Sequence, residues 1–287
     1  MLLPLEDLFT DIIAKAQRGL GFDDAALAQK AGVSEDALRA VKSGTVDEET
    51  ITHLAAALDL HAHSLLTIAR DSWRPHPREV LGLHQFTTPF KDMTVNAYLV
   101  WDTTTKVGAA FDTGADASEL VDMARAFGVR IEHIFLTHTH PDHVADIATL
   151  RKPNTTLHSC SKEPWEDSVQ FDCGQEFTLS SLRIETKQTW GHSRGGVSYV
   201  VHGLSKPLII VGDALFAGSM GGGMVSYADA LATNREHIFS LHDDTIICPG
   251  HGPMTTVGEE KEHNPFFPEI KKAPHPAPSS QTQPLTT

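Results

Sequence analysis

The first seventy residues of the chain carry apolar side chains at helical spacing. Leu8, Ile12 and Ala16 recur at intervals of four, and this spacing predicts a helix that ends at the glycines which follow. No strand pattern occurs in this part of the chain, so an all-α unit is expected. Further helices are predicted over four stretches, at about 23–31, 34–42, 47–58 and 62–69.

The pattern changes beyond a proline-rich break at Trp73–Pro77. Short aliphatic and β-branched runs then alternate with glycine turns and helices, which is typical of an α/β fold. The break predicts a helical domain over 1–72 and an α/β domain over 78–270, while the proline-rich residues 271–287 are expected to form a disordered tail. The predicted strands include 97–101, 106–111, 131–136, 208–211 and 245–248.

Composition narrows the class of protein. The 287 residues include 23 basic and 37 acidic side chains, a balance that does not favour binding to phosphate backbones. The cysteines at 160, 173 and 248 form no C-x-x-C pair, which argues against a disulfide framework and against a cysteine-type zinc site. No stretch approaches the roughly 18 apolar residues that span a bilayer, and the first residues lack a signal-peptide pattern. We therefore expect a cytoplasmic protein with no membrane partner.

Seventeen histidines are present, and several cluster directly after the predicted strand 131–136. His138 and His140 lie two residues apart on an extended segment, so their side chains can face one ion. Asp142 and His143 follow where the chain turns into a helix, and they point toward a second ion. Histidine is the commonest metal ligand in proteins, and loops at strand ends often carry function. This run therefore predicts a metal site.

The H-x-H-x-D-H run resembles the signature of the metallo-β-lactamase superfamily. Three later segments are similar to that family's other ligand positions, with His192 in W-G-H-S, Asp213 in V-G-D-A-L-F and His251 in C-P-G-H-G-P. The F-D-T-G turn at Asp112 is similar to a turn whose aspartate supports the site from behind. The resemblance covers about residues 80–268. It implies an α/β fold, namely an αββα sandwich preceded by the small all-α domain.

The resemblance also implies seven metal ligands and two divalent ions. Asp213 would bridge the ions, and Asp142 would orient the nucleophile as the catalytic residue. Nitrogen and oxygen ligands without a thiolate suit zinc, iron or manganese, and we expect zinc with iron or manganese as alternatives. Two ions about 3.5–4 Å apart can share a hydroxide at neutral pH. The other ligands are His138, His140 and His192 for one ion, and Asp142, His143 and His251 for the second.

The segment 250–267 resembles the glyoxalase II group of that superfamily. This likeness implies hydrolysis of a thioester or ester-type small substrate, such as S-lactoylglutathione. Two features depart from the group: its G-H-T-P-G-H motif is G-H-S-R-G-G at 191–196, and a glycine-rich loop at 218–227 replaces a loop that contains arginine. A mononuclear-iron persulfide dioxygenase and a lactonase therefore stay open as alternatives.

Residues 24–60 resemble a helix-turn-helix of the Cro/repressor type. Residues 1–70 carry six basic against eleven acidic side chains, and Glu35 and Asp36 open the helix that would face phosphates. DNA binding is therefore not expected, and a transcription regulator with a metallo-hydrolase sensor domain is the weaker alternative. We expect the helices to cover the active-site mouth or to make protein contacts, including those of a homo-oligomer, while the catalytic partner is a small-molecule substrate.

Overall fold

The structure of this chain, a computed structural model, describes residues 3–271. Five helices come first, as the apolar spacing predicts. Asp23 and Ser34 cap the second and third of them by accepting hydrogen bonds from backbone N–H groups of the first turn. Apart from Lys271, the predicted disordered tail lies outside the described residues. The helices are α1 (Phe9–Gly19), α2 (Asp24–Ala31), α3 (Glu35–Lys42), α4 (Glu48–Ala57) and α5 (Ala62–Ala69).

The chain then alternates strands and helices, as the second pattern predicts. The five predicted strands agree with observed ones to within one residue at each end, except that β2 begins four residues earlier than predicted. The strands are β1 (Leu83–Phe90), β2 (Met93–Trp101), β3 (Val107–Phe111), β4 (Arg130–Phe135), β5 (Thr156–Cys160), β6 (Val169–Phe171), β7 (Glu176–Leu179), β8 (Leu182–Gln188), β9 (Val197–His202), β10 (Leu208–Gly212), β11 (Ile246–Pro249) and β12 (Thr255–Thr256). The remaining helices are α6 (Ser118–Ala126), α7 (Pro141–Val144), α8 (Ile147–Leu150), α9 (Tyr227–His237), α10 (Val257–His263) and a 3₁₀ turn (Pro268–Ile270).

These strands form two six-stranded sheets. The first sheet has the order β1-β2-β3-β4-β5-β6, antiparallel up to β3 and parallel from β3 onward. The second has the order β12-β11-β10-β9-β8-β7, in which β10 and β11 form the parallel pair. The parallel strands β3, β4, β10 and β11 direct their carboxyl ends, and the loops that follow, to one edge of the molecule.

The two sheets pack face to face, and helices cover both outer faces. Alternation along the strands sets these layers, because successive side chains point to opposite faces of a sheet. Ile210 points into the core between the sheets together with Phe111, whereas its neighbour Ile209 faces the outer helices. On the opposite side, α6 and α8 cover the first sheet through Leu120 and Leu150. The result is the expected αββα sandwich, preceded by a helical stretch.

The N-terminal helices belong to the outer layer of the second sheet. Ile12, Leu54 and Leu65 are buried in the same apolar cluster as Ile209 and Ile247. The division into domains at 1–72 and 78–270 stays a prediction, as does the helix-turn-helix. The shared core nevertheless brings α1 and its preceding segment to the edge where the predicted ligands lie. Between residues 3 and 271, no helix is both long and apolar enough to cross a bilayer.

Candidate metal centre

Four strand ends bring the predicted ligands to one edge of the sandwich. The loop after β4 carries His138 and His140, and it leads into α7 with Asp142 and His143. The remaining three come from the loop between β8 and β9, from the end of β10 and from the end of β11. All seven converge in two sets, within each of which one potential ligand atom per residue lies within 4.8 Å of the others. The sets are His138, His140, His192 and Asp213, and Asp142, His143 and His251.

In the first set, the ring nitrogens converge on a common point. The Nδ1 atom of His140 lies 3.1 Å from Nε2 of His138 and 3.0 Å from Nε2 of His192. Asp213 Oδ2 lies 3.3 Å from the same nitrogen of His192 and 3.9 Å from that of His138. Ligands about 2.0–2.2 Å from one tetrahedral ion lie roughly this far apart. The set therefore has the dimensions of a metal site.

All three residues of the second set are buried, and Asp213 of the first set also contacts them. Asp142 Oδ2 lies 3.4 Å from Nε2 of His143 and 3.3 Å from Nε2 of His251. The Asp213 carboxylate approaches the same two nitrogens, at 3.2 Å through Oδ1 and 3.4 Å through Oδ2. Asp213 thus stands between the two sets, in the bridging position that the family resemblance implies.

Two buried atoms in the centre lack a hydrogen-bond partner. Among residues 3–271, His143 Nε2 and Asp213 Oδ1 lie 3.2 Å apart, yet neither makes a hydrogen bond of favourable geometry. A buried polar atom without a partner costs about 1–3 kcal/mol, and a divalent cation between the two atoms would satisfy both. The donor set contains only nitrogen and oxygen, which suits zinc, iron or manganese. The residues present therefore fit a divalent metal ion.

The charges of the centre also favour a cation. Burial and the neighbouring histidines lower the pKa of His138, which leaves its ring in the neutral, metal-binding form. Burial also opposes protonation of His143, yet Asp213 and Asp112 raise its pKa to about 10. Against the same opposing burial, Asp213 and Asp142 raise the pKa of His251 to about 11. The carboxylates therefore hold positive charge at the second set, and a metal ion would replace those protons.

Asp112 supports the centre from behind, as the D-T-G resemblance implies. Its carboxylate lies 2.8 Å from His143 Nδ1 and accepts hydrogen bonds from the backbone N–H of Thr137 at 2.8 Å and its hydroxyl at 2.7 Å. Such carboxylate–histidine pairs fix the orientation and tautomer of a ligating ring. Asp112 itself has a φ of +55°, a left-handed conformation that aspartate tolerates better than most residues.

The loop that carries His251 is held by the first sheet. His251 Nδ1 donates to the carbonyl of Thr94 at 2.5 Å, which directs Nε2 toward the centre. The Asn96 side chain donates to the carbonyls of Pro249 at 2.9 Å and Gly252 at 2.8 Å. Sequence reasoning missed Thr94 and Asn96, because neither belongs to a motif and the contacts span more than 150 positions.

A further missed residue, Glu163, joins the loops of the first set. Its carboxylate accepts hydrogen bonds from the backbone N–H of Thr139 at 2.7 Å and of Gly195 at 2.8 Å. Thr139 lies between the two histidines of the H-x-H pair, and Gly195 follows His192. No local pattern around Glu163 signals this role, since it depends on how the β5–β6 connection folds back.

Known proteins agree with this architecture. Residues 91–251 match the Metallo-beta-lactamase superfamily model. A probable metallo-hydrolase of Streptococcus pyogenes is 29% identical over 187 residues, which cover 54% of this chain and 79% of the relative. Hydroxyacylglutathione hydrolase GloC of Haemophilus influenzae is 28% identical over 200 residues, covering 60% and 92%.

A solved structure, ETHE1 from Myxococcus xanthus, superposes with a TM-score of 0.57 at 23% identity, covering 66% of this chain and 88% of that one. At this identity the likeness concerns the fold alone. The family match, by contrast, spans more than half of the chain and includes six of the seven predicted ligands before ending on the seventh, His251. The chain belongs to the metallo-β-lactamase superfamily.

Proposed function

We propose that this metallo-hydrolase holds two divalent ions, zinc in the first instance, and hydrolyses a thioester or ester bond in a small molecule. The observation that carries the proposal is the position of Asp213 between two convergent ligand sets. His138, His140 and His192 would hold one ion, and Asp142, His143 and His251 the other. Bound there, the two ions would supply hydroxide from water at neutral pH and polarise the substrate carbonyl.

The chain's own residues would orient this chemistry. Asp142 is more accessible than His143, with 12% of its side chain exposed against none, and its Oδ2 atom faces the interior of the second set. From that position its carboxylate can accept a proton from the attacking water and fix its direction. His143 and His251 are aligned by Asp112 and by the Thr94 carbonyl, so their rings need no reorganisation during the reaction.

The substrate class rests on likeness. The Haemophilus influenzae relative is named a hydroxyacylglutathione hydrolase, and its match covers 60% of the present chain. Together with the glyoxalase II-like segment 250–267, this relative favours a thioester of a hydroxy acid. The exposed apolar side chains of Met224 and Val225, on the glycine-rich loop beside His192, offer an apolar contact for such a substrate.

Metal analysis paired with a substrate panel tests the proposal. The protein, purified without added metal, would be analysed by inductively coupled plasma mass spectrometry and assayed with S-lactoylglutathione, a lactone, a simple ester and glutathione persulfide. We expect close to two ions per chain and the highest kcat/KM on the thioester. Asp142→Ala should lower that value about 10²–10⁴-fold, the usual contribution of a general base.

Three results would overturn the proposal. A single iron per chain with oxygen uptake on glutathione persulfide would identify a dioxygenase instead. Lactone cleavage far above thioester cleavage would change the substrate class. Thioester hydrolysis that survives Asp142→Ala would remove the orienting role of that carboxylate.

A further inference from the structure

A largely buried lysine of α1 contacts the segment that follows Asp213. Lys15 has only 14% of its side chain exposed, and its ammonium pairs with Asp7 Oδ2 at 2.5 Å. The same ammonium donates to the backbone carbonyl of Met220 at 2.9 Å and lies 4.9 Å from the centroid of the Phe216 ring. Phe216 and Met220 are themselves buried, and both follow shortly after Asp213. The N-terminal helix therefore contacts the segment that leaves the bridging aspartate.

Asp7 holds the same segment from a second side. Its carboxylate accepts a hydrogen bond from the Ser219 hydroxyl at 2.5 Å, and Ser219 is fully buried. The carbonyl of Ser219 accepts in turn from the Asn264 side chain at 2.8 Å. Residues 216–222, which we name the clamp loop, are thus anchored by Lys15 of α1, by Asp7 two residues before that helix and by Asn264 directly after α10.

The clamp loop touches ligands of both sets. The Gly222 carbonyl accepts a hydrogen bond from His192 Nδ1 at 3.0 Å, which directs Nε2 of that ring inward. Gly221 lies so close to Asp213 that a Cβ atom there would overlap the aspartate's carbonyl oxygen. The Phe216 ring meets the His251 ring edge to face, with 5.5 Å between centroids. A shift of the clamp loop would therefore displace groups that contact His192 and His251.

A buried ion pair such as Lys15–Asp7 contributes little net stability to a fold. Removing two charges from water costs several kcal/mol per ion, and apolar replacements of buried pairs are often neutral or stabilising. The Lys15–Asp7 pair instead makes two hydrogen bonds to one loop, which fix the positions of the Met220 carbonyl and the Ser219 hydroxyl. Ligand-orienting contacts of the next layer typically change metal affinity 10–100-fold.

We propose that Lys15 and Asp7 are positioning residues, which fix the clamp loop so that the Gly222 carbonyl holds His192 as a metal ligand. The N-terminal helices are then an integral wall of the metal centre. The inference rests on the proposed function only in that the two ligand sets bind ions; it does not depend on the substrate.

Cobalt(II) binding to the full chain tests this role independently of turnover. The metal-free protein would be titrated with cobalt(II) against a competing chelator, and its ligand-field absorption followed. For Lys15→Met we expect the ion of the first set, which His192 helps to hold, to bind about 10–100-fold more weakly. The ion of the second set should be retained. The double variant Lys15→Met/Asp7→Leu removes the unpaired buried charge; we expect its urea midpoint to recover while the weak cobalt affinity persists.

A matched control is available in Lys261→Met. Like Lys15, Lys261 pairs with an aspartate, Asp243 at 2.9 Å, and donates to a backbone carbonyl, that of Leu241 at 3.5 Å. Neither of these partners belongs to the clamp loop. Substitution of Lys261 should leave both cobalt affinities within about threefold of the wild type.

The outcomes separate the two proposals. Wild-type protein that binds no cobalt would overturn the proposed function and this inference together. Wild-type protein that binds two ions, with Lys15→Met affinities within threefold of it, would overturn the positioning role alone. Recovery of cobalt affinity in the double variant along with stability, or an equal loss in Lys261→Met, would also contradict it, because a general structural effect would then suffice.

Discussion

The two ligand sets are supported in different ways. In the second set, His143 and His251 are almost fully buried and are aligned by a carboxylate and a carbonyl of the first sheet and its turns. In the first set, His140 and His192 are partly exposed, and His192 is oriented by the carbonyl of a glycine-rich loop. The histidines of the second set are therefore oriented by groups in or next to the first sheet, whereas His192 of the first set is oriented by a loop.

The two ligand sets therefore differ in how firmly the protein holds them and in how far solvent reaches them. The buried set is held on all sides by protein, whereas His140 and His192 of the first set are partly open to solvent. Loops positioned by a rigid scaffold commonly carry the contacts that distinguish substrates. We therefore expect changes to the second set to lower activity and stability more than changes around the first set do.

The largest effect should come from His143→Ala, which removes the most buried ligand. Losing an ion and its charge stabilisation costs several kcal/mol, so kcat/KM should fall about 10³-fold or more. His140→Ala, a partly exposed ligand of the first set, is the paired variant. Mass spectrometry of the native proteins should find one ion in each, with a lower urea midpoint for His143→Ala. Equal midpoints would erase the proposed difference in rigidity.

Asp112→Asn should follow in size. The amide preserves the volume, but it removes the negative charge that aligns His143 and accepts from Thr137. Affinity for the ion of the second set should fall about 10–100-fold. Chelator competition measures this change, and the ion of the first set serves as the internal reference. Loss of both ions to the same degree would mean that Asp112 supports the fold and not one ligand.

Gly221→Ala tests how the clamp loop supports the first ligand set. The added methyl group would overlap the Asp213 carbonyl, so the clamp loop must move, at about 1–3 kcal/mol of stability. The first-set ion should bind about tenfold more weakly. Gly222→Ala is the matched control, because a Cβ there would meet only Met224 within 4 Å, with Sδ the nearest atom at 3.4 Å. Equal behaviour of the two variants would contradict the close approach.

The smallest effect concerns attachment of the helices away from the centre. His76, within the break at Trp73–Pro77, and Arg78, directly after it, pair with Glu259 of α10 at 2.8 Å and 2.5 Å. Burial works against ionisation, but these partners hold the pKa of Glu259 at about 2, below its ordinary 4.5. The resulting stability is present above pH 4.5 and is lost as the pH falls toward 2.

For metal-free protein, the gap in unfolding free energy between wild type and Glu259→Gln should be about 1–2 kcal/mol at pH 6 and should shrink by pH 3. Urea titrations at the two pH values measure it. Metal affinity at pH 7 should not change. A loss of metal would show that the linker, and not the clamp loop alone, positions the centre.

Sequence reasoning reached those features that lie close together along the chain. The run from His138 to His143 places four ligands within six residues, and its family likeness then identified His192, Asp213 and His251 as candidates. The five helices of the N-terminal part and the strand cores followed from apolar periodicity. The supporting position of Asp112 could be predicted because its D-T-G turn resembles one in a known family.

The features that sequence did not reveal are long-range. Glu163, Asn96 and Lys15 act on loops between 24 and more than 200 positions away, and their side-chain types are common on any surface. The N-terminal helices were predicted as a helical domain that covers the active-site mouth or makes protein contacts, without a partner in the second sheet. Their shared core with β10 and β11 depends on the outer face of the second sheet, whose apolar side chains cannot be assigned to a partner before the sheets are assembled.

Metal content is the most direct test of the central claim, that one bridging aspartate joins two ligand sets. Inductively coupled plasma mass spectrometry on the purified wild type and on Asp213→Ala would count ions per chain. The account predicts close to two ions in the wild type and a loss of both, or retention of at most one weakly held ion, in the variant. One ion in the wild type, or two firmly held ions in Asp213→Ala, would contradict it.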